Sequence, residues 1–325
     1  MARISVIIPV YNAADTLPRC LDSVFAQTQA PYEIIAVNDG STDDSLLLLN
    51  TYARQHSHLQ IITQDNSGVS TARNIGIEAA TGDWIMFLDT DDYMAPNTIE
   101  TLAQDIRGEL SLAGLTIHTC EKTYPQNLYQ KNANNSAEGL LNIEDALSLL
   151  SYYTFCGPVC KLFRSDLIKR NDIRFPSDMH FGEDTIFVYN YLKFVTQITV
   201  HNVHPYHCDK SNPSSLTATV NSVSCVASIR RIYPVMREVF QAHHLPLQYV
   251  DYIYLDALQT ATHLSYKDHG LRAKERINIY QEMFANENFD TLKSQCSPIF
   301  LALCRMHTWH LCDLYLNFRT IQERQ

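Results

Sequence analysis

Three aspartates stand together in the segment Asp89–Asp92, directly after the apolar run Trp84–Leu88. An apolar run of this length before an acidic turn is typical of a buried strand, so we expect the carboxylates at the C-terminal end of that strand. Open α/β sheets bind their ligands at that end. Carboxylates one residue apart can share one hard cation and leave coordination positions free for substrate phosphates. The segment therefore predicts phosphate-linked chemistry, and the alternative is a solvated acidic turn.

The carboxylates need a sheet to position them, and the preceding sequence has the pattern of one. Ile4–Val10 and Glu33–Asp39 are apolar runs followed by polar turns, and a further strand is predicted at Leu59–Thr63. Segments with helical spacing of apolar residues lie between these runs. Strands that alternate with helices are typical of parallel βαβ units. The sequence thus predicts an α/β fold with a mostly parallel central sheet and flanking helices.

The order of these motifs resembles that of the inverting family 2 glycosyltransferases, which have the GT-A fold, a Rossmann-like nucleotide-binding architecture. The resemblance extends over about the first two thirds of the chain, and no single motif carries it. The matching segments are Val6–Asn12, Val37–Asp43, Asn66–Asn74, Phe87–Asp92 and Phe181–Phe187.

The resemblance implies a nucleotide-sugar site. Asp39 would accept a hydrogen bond from the uracil ring of a UDP-sugar, and Gly40-Ser41 would let the nucleotide approach the backbone closely. Asp91 would hold Mn²⁺ or Mg²⁺ against the diphosphate, with Asp89 near the ribose or the metal. The residues that the resemblance places at the donor are Pro9, Tyr11, Asn12, Asp39, Ser41, Asn66, Ser67, Gly68, Arg73, Asp89, Thr90 and Asp91.

Two of these assignments have structural alternatives. Asp39 could cap the helix expected to start near Asp43-Asp44. Arg73 could be an ion-pair partner beside an acidic cleft rather than a nucleotide ligand. Asp92 is expected to be an outer-shell or capping carboxylate.

Asp184 is the predicted general base. Inversion requires an acceptor hydroxyl to attack the anomeric carbon opposite the diphosphate, and a carboxylate must take its proton. Glu183 would point elsewhere on the same helix and orient the acceptor or a neighbouring backbone group. The alternative for both is ordinary first-turn acidity, because the macrodipole favours Asp and Glu at helix N-termini.

Two further segments are assigned to the acceptor or to a closing loop. Lys161 matches a lysine position of many relatives and would support the diphosphate or the catalytic loop, with a solvated lysine as the alternative. The segment Pro205–Ser215 resembles the mobile loop that closes over the donor in GT-A enzymes. His207 or Lys210 would then reach the phosphates, unless both are simply exposed.

Charge and composition limit the partners and the location. Residues 1–225 carry 14 Lys and Arg against 25 Asp and Glu, whereas residues 226–325 carry 11 against 10. An acidic catalytic region argues against nucleic acid as a partner. Nine cysteines without regular spacing indicate reduced thiols, and the spacing of Cys156, Cys160, His207 and Cys208 does not match a zinc site. With no signal peptide or transmembrane run predicted, we expect a cytoplasmic protein, peripheral to the inner face of the plasma membrane in one interpretation.

The sequence also predicts how the chain divides. Residues 1–220 would form the catalytic domain, with a nucleotide-sugar half at 1–110 and an acceptor and catalytic-base half at 140–220; the Asn- and Gln-rich region Tyr124–Gly139 would be a loop or insertion. Residues 221–325 would be helical. Their apolar stripes are read as packing faces or, alternatively, as an aromatic surface for a membrane, a protein partner or a homodimer. The stripe residues are Val223, Val226, Ile229, Ile232, Tyr233, Val250, Ile253, Tyr254, Leu258, Phe300, Leu303, Met306, Trp309, Leu311, Leu314 and Tyr315.

The combined prediction is a metal-dependent inverting glycosyltransferase that moves a sugar from a nucleoside diphosphate, UDP above all, to a hydroxyl of a glycan or glycolipid acceptor. Relatives of this size commonly build capsule, lipopolysaccharide or other cell-surface polysaccharide. One rival is a sugar-phosphate nucleotidyltransferase, which would need a Gly-rich basic loop where this chain has Tyr11–Asp15. The other is a non-catalytic subunit that binds sugar nucleotides, against which Asp39, Asp91 and Asp184 argue.

Overall fold

The computed structural model describes residues 2–130, 138–179, 181–211, 220–285, 299, 302–303, 306 and 308–322. These residues fall into two compact units, Met1–Ser215 and Leu216–Gln325. The strands are β1 Ile4–Val10, β2 Glu33–Asp39, β3 Leu59–Gln64, β4 Trp84–Phe87, β5 Tyr93–Met94, β6 Leu110–His118, β7 Thr123–Pro125, β8 Gly139–Asn142, β9 Lys161–Arg164 and β10 Gln197–Asp209. The helices are α1 Leu17–Phe25, α2 Ser45–Ala53, α3 Val69–Ala79, α4 Thr98–Ala103, α5 Ile143–Leu149, the 3₁₀ helix Tyr152–Phe155, α6 Ser165–Arg170, α7 Glu183–Leu192, α8 Ser222–Ala242, α9 Gln248–Asp268, α10 Ala273–Ala285 and α11 Trp309–Gln322.

The first unit is built on a mixed sheet. Its strand order is β3-β2-β1-β4-β9-β6-β10-β5, with β7 on β6 and β8 on β10. The first four strands of that order are parallel, and β9 runs antiparallel to both β4 and β6. Every residue of β1 is buried, which fits a strand covered on both faces. The predicted α/β fold is confirmed.

Pro9 lies inside β1, where a proline would normally cost a ladder hydrogen bond. The pairing of β1 with β4 ends at Ile7 and Phe87, whereas the pairing with β2 continues past Pro9. The proline therefore stands where β1 has a partner strand on one side. The buried Pro9 ring shapes the strand end just before the polar turn.

The segment predicted as a closing loop is partly a strand. Residues Pro205–Asp209 belong to β10, where Tyr206 pairs with Met94 of β5 and with Leu115 of β6. The loop assignment for these five residues is wrong, because strand partners distant in sequence satisfy their backbone. Residues 212–215 of the predicted loop lie outside the described residues, as do residues 131–137 of the predicted insertion.

The second unit is helical, as predicted, and has its own apolar core. Asn221 and Ser224 form a capping box at the start of α8. The core contains Val226, Ile229, Leu255, Leu258, Tyr280 and Cys312. Four residues of the predicted packing stripes, Val223, Met306, Leu311 and Leu314, are instead largely exposed. Phe300 lies outside the described residues.

Candidate functional site

The carboxyl edge of the parallel strands gathers the predicted donor residues. Val10 pairs with Asn38 across β1 and β2, and Ile7 pairs with Phe87 across β1 and β4. The turns after these three strands therefore start at the same edge of the sheet. That edge places Tyr11-Asn12, Asp39–Ser41 and Asp89–Asp92 on one side of the first unit.

The turns after β1 and β2 are tied to each other. The Asn12 N–H donates to the Ser41 hydroxyl at 3.1 Å, and the Thr42 N–H donates to Oδ1 of Asn12 at 2.8 Å. Asn12 adopts a positive φ of 46°, a conformation that Asn tolerates better than most residues. Asn12 and Ser41 thus shape the edge, whereas the ring of Tyr11 is 50% exposed beside them.

Asp39 is buried and holds the segment that leads into α3. Its Oδ1 accepts hydrogen bonds from the Gln64 side-chain amide at 2.5 Å and the Ser67 N–H at 2.8 Å, and its Oδ2 accepts from the Gly68 N–H at 2.8 Å. A carboxylate has about four lone-pair positions. One position on Oδ2 is left over among the described contacts. Asp39 therefore positions Ser67 and Gly68 at the start of α3 rather than capping α2.

Gly40 is required by the packing of two turns, and its predicted role in nucleotide approach stays a prediction. Its φ is +69°, and a Cβ at this position would lie 2.7 Å from the backbone nitrogen of Asn66. The close approach is thus between two turns of the protein. Asn66, Ser67 and Gly68 are themselves exposed at the edge.

Arg73 joins the predicted donor side to the predicted base helix. Its guanidinium donates to Oδ1 of Asp89 at 2.8 Å and to Oε1 of Glu183 at 3.4 Å, and it lies 5.2 Å from the centre of the Phe175 ring. The side chain of Arg73 is only 7% exposed, and its Nε is buried without a partner among the described residues. The geometry favours the ion-pair alternative for Arg73. Glu183, which is also buried, serves as its second partner.

The aspartates after β4 differ in environment. Desolvation raises the pKa of Asp91 to about 6, with a further contribution from the charge of Asp89. Desolvation also raises the pKa of the buried Asp92, and the charges of Asp89 and Asp91 add to it. Asp92 accepts hydrogen bonds from the Tyr206 hydroxyl at 2.8 Å and from the Asp209 N–H at 2.9 Å. Asp92 is therefore a structural carboxylate that ties the acidic turn to β10.

Asp89 and Asp91 fit a hard divalent cation. Desolvation and the charge of Asp89 make the charged form of Asp91 unfavourable, and a bound cation would relieve that cost. Within the described ranges no cluster of three or more His, Cys, Asp or Glu has metal-binding geometry. Mg²⁺ characteristically takes one or two protein carboxylates and fills its other positions with phosphate oxygens and water. Two carboxylates in the turn after β4 match that requirement.

Asp184 lies in the first turn of α7, next to Glu183. Its Oδ1 accepts a hydrogen bond from the Thr185 N–H at 2.7 Å. Desolvation raises the pKa of Asp184, the charge of Glu183 raises it further, and the charge of Arg73 opposes both. A carboxylate with a raised pKa can both lose and gain a proton near neutral pH, as a general base must.

Lys161 opens β9 and is not the solvated lysine of the alternative interpretation. It is 5% exposed, and its ammonium donates to the carbonyl oxygens of Gly157 at 2.7 Å and Val159 at 3.3 Å. Burial lowers the pKa of Lys161 to about 8. Through these contacts Lys161 supports the loop near Asp184. The same contacts leave its ammonium little freedom to reach a diphosphate.

His207 lies in β10 within a group of aromatic rings. Its Nδ1 is 3.0 Å from Nε2 of His118, and its ring stacks on Tyr93 with centres 4.5 Å apart. Desolvation lowers the pKa of His207, and the proximity of His118 lowers it further. Lys210 follows β10 with an exposed side chain, while its N–H donates to the carbonyl of His118.

The structure also brings Arg19 to the acidic turn, which motif comparison did not identify. Arg19 donates to the backbone carbonyl of Asp91 at 2.6 Å, pairs with Asp209 at 2.9 Å and covers the ring of Tyr93. In sequence it is one arginine on the polar face of α1, with no neighbouring motif. Only the packing of α1 beside β5 places it at this edge.

Comparison with known proteins supplies independent observations. The profile described as "Glycosyl transferase family 2" matches residues 5–171. The chain is 33% identical over 221 residues to "Uncharacterized glycosyltransferase YibD" of Escherichia coli (strain K12), an alignment that covers 66% of this chain and 64% of that protein. It is 32% identical over 213 residues to "Poly(ribitol-phosphate) beta-glucosyltransferase" of Bacillus spizizenii, covering 63% of this chain and 32% of that protein. The chain thus spans less than two thirds of the length of these relatives.

The fold is similar to that of TarS from S. aureus. The crystal structure of TarS 1-349 in complex with UDP superimposes with a TM-score of 0.71 at 21% identity, covering 99% of this chain and 92% of that one. The complex of the same fragment with UDP-GlcNAc also gives 0.71, at 19% identity and with the same coverage. At this level of identity the likeness concerns the fold, which is GT-A.

Proposed function

Because the chain belongs to glycosyl transferase family 2, we propose that it transfers a sugar from a nucleoside diphosphate, UDP above all, to a hydroxyl of a glycan acceptor. The reaction would be metal-dependent and would invert the anomeric centre. The acceptor would be a growing cell-surface polysaccharide. Asp184 would be the general base, and Asp89 and Asp91 would hold the metal.

One observation carries the proposal, the bridge that Arg73 makes between the two halves of the site. Its guanidinium contacts Asp89, which follows β4, and Glu183, which begins α7. The bridge holds Asp184, the neighbour of Glu183, close enough to Asp89 for the charge of Asp89 to raise the pKa of Asp184. Displacement at an anomeric carbon needs positive charge at the leaving diphosphate and a proton acceptor at the incoming hydroxyl. The proposed metal-holding carboxylates and the proposed base lie at one edge and would meet both needs.

The turns after β1 and β2 are suited to a nucleotide. The exposed ring of Tyr11 offers a flat apolar surface on which a base can stack. The exposed turn Asn66–Gly68 lies against Gly40 and is held by Asp39. Oδ2 of Asp39 keeps one lone-pair position for a ring N–H. This arrangement supports a uracil-type base with an N–H donor.

The reaction assigns a role to each end of the site. The acceptor O–H would give its proton to Asp184 while its oxygen forms the new bond to the anomeric carbon, and the bond from that carbon to the diphosphate oxygen would break with its electron pair. The nucleoside diphosphate therefore leaves, and Asp184 ends protonated. A divalent cation held by Asp89 and Asp91 would neutralise the charge on the departing diphosphate.

The names of similar proteins support the substrate classes. The TarS fragment was crystallised with UDP and with UDP-GlcNAc, and the B. spizizenii relative is named as a glucosyltransferase acting on poly(ribitol-phosphate). For this chain we therefore propose a UDP-hexose as the donor and a cell-surface polymer as the acceptor.

The test is calorimetric titration with UDP, GDP, CDP and TDP, each with and without Mn²⁺, and then with intact UDP-sugars. We expect metal-dependent binding of UDP that Asp91→Asn weakens by tenfold or more, since a ligand to the metal is lost. The matched control is Asp83→Asn, which alters an exposed aspartate that directly precedes β4 and pairs with Arg3. Absence of nucleotide binding in the folded protein would overturn the proposal.

A further inference from the structure

The turn Cys156–Cys160 connects the 3₁₀ helix Tyr152–Phe155 to β9, and it is anchored at both ends. The Thr185 hydroxyl donates to the carbonyl of Cys156 at 2.7 Å, which ties the turn to α7. Lys161 donates to the carbonyls of Gly157 and Val159 at 2.7 and 3.3 Å, which ties it to β9. Cys160 adopts a positive φ of 54°, an uncommon conformation for a residue with a side chain. The turn is therefore held in a specific shape by contacts to Lys161 and α7.

Gly157 faces the carboxylate of Asp184. A Cβ built on Gly157 would lie 3.7 Å from Oδ2 of Asp184 and would meet no other atom within 4 Å among the described residues. Since Oδ1 of Asp184 accepts the Thr185 N–H, Oδ2 is the oxygen on the Gly157 side. A Cβ at position 157 would therefore be in ordinary van der Waals contact with Oδ2, and the bare backbone of Gly157 borders this oxygen.

Lys161 contributes a positive charge to the surroundings of Asp184 in addition to that of Arg73. Glu183 and Asp89 oppose ionisation of Asp184, whereas Arg73 favours it. Arg73 is committed to Asp89 and Glu183 by direct contacts. The buried ammonium of Lys161 is a second positive charge that interacts with the carboxylate of Asp184.

We propose that Lys161 is a positioning residue whose ammonium holds the turn Gly157–Val159 in place. With the turn held there, the acceptor hydroxyl reaches Oδ2 of Asp184 by passing over the bare backbone of Gly157. The inference rests on the proposed function for the role of Asp184. It assigns Gly157 to the acceptor route and gives Lys161 no contact with the donor. Lys161 acts through the turn and through its charge.

The experiment compares the full chain with Lys161→Met, Lys161→Arg and Gly157→Leu. The probes are UDP with Mn²⁺ for binding, and UDP-glucose and UDP-N-acetylglucosamine with water as acceptor for turnover, measured as released UDP. We expect Lys161→Met to keep the Kd of UDP and the KM of the donor within about twofold. Its kcat should fall about tenfold to a hundredfold, the usual cost of a small misplacement at a reacting centre. Lys161→Arg, which keeps the charge, should recover part of the loss.

A pH profile separates this role from a merely structural one. A nearby positive charge favours the ionised form of Asp184, so its removal in Lys161→Met raises the pKa of Asp184 and moves the acid limb of kcat to higher pH. Carbon-13 NMR of the Asp184 carboxyl, assigned with Asp184→Asn, follows the same titration without turnover. Lys161→Arg should titrate close to the wild type.

Gly157→Leu tests the route itself, because a Cβ fits there without a clash. We expect unchanged UDP binding and at least tenfold slower donor turnover, since the side chain fills the space next to Oδ2. An unchanged Asp184 titration in Lys161→Met, an equal loss of UDP binding, or full turnover in Gly157→Leu would overturn the inference. A wild type that binds no nucleotide would instead overturn the proposed function.

Discussion

Asp184 stands out among single side chains because its environment makes its protonation state sensitive to pH near neutrality. An ordinary Asp is ionised above a pH of about 4. Desolvation and the charge of Glu183 raise the pKa of Asp184, and the neighbouring Arg73 moderates the effect. Lys161 shows the converse, since burial lowers the pKa of its ammonium to about 8.

Replacement of Asp184 separates donor binding from transfer. We expect Asp184→Asn to bind UDP and Mn²⁺ with a Kd within about twofold of the wild type, and to lose activity by about 10²- to 10⁴-fold, the usual contribution of a general base. In the wild type, activity should fall as the pH drops through the raised pKa of Asp184, because only the ionised form accepts a proton. Donor turnover measured from roughly pH 5 to 9, a range centred on neutral pH, checks this. Normal turnover by Asp184→Asn would rule out its role as base.

Helix α3 couples two other elements of the first unit. It carries Arg73, whose guanidinium reaches the turn after β4 and the first turn of α7. Asp89 and Glu183 are separated by 94 positions in the sequence, and α3 precedes both. Only the folded chain brings these two carboxylates to the same arginine. The bridge therefore fixes the position of α7 relative to the acidic turn.

Loss of this bridge should cost much stability. Arg73→Met would leave the carboxylate of Glu183 buried without its partner, and breaking a buried ion pair typically costs about 3 to 5 kcal/mol. Arg3→Met is the matched control, because it removes an arginine from a solvent-exposed pair with Asp83, and such exposed pairs contribute little to stability. Urea denaturation of both variants gives the free energies of unfolding. Equal losses in the two variants would contradict a special role for Arg73.

The chain as a whole consists of two compact units, and the candidate site lies entirely in Met1–Ser215. The helical unit Leu216–Gln325 contains a buried polar network of its own, in which Arg276 pairs with Asp313 at 2.6 Å and the Tyr266 hydroxyl donates to the same carboxylate at 2.7 Å. Among the described residues, no helix combines the length and apolarity needed to cross a membrane. The predicted membrane contact and homodimer stay predictions.

Ligand binding should stabilise the two units unequally. At a concentration of 100 times Kd, UDP with Mn²⁺ would add about 2.7 kcal/mol to the unit that binds it. For a unit of this size the gain corresponds to a rise in Tm of roughly 5 to 10 °C. Scanning calorimetry should therefore show the transition of the first unit moving while that of the helical unit stays in place. An upward shift of the helical transition alone would place the nucleotide site in the wrong unit.

The sequence by itself determined the α/β fold and the parallel strand ends that carry Asp39 and Asp89–Asp92, while the family resemblance placed Glu183 at the start of a helix. Local patterns were sufficient for these features, because apolar runs and polar turns report strands and their ends directly. The tertiary structure decided that Lys161 is buried, that Pro205–Asp209 is a strand, that Arg19 reaches the acidic turn and that Arg73 bridges Asp89 and Glu183. Each of these depends on partners far away in the sequence, and only the packing of the elements sets which distant groups meet.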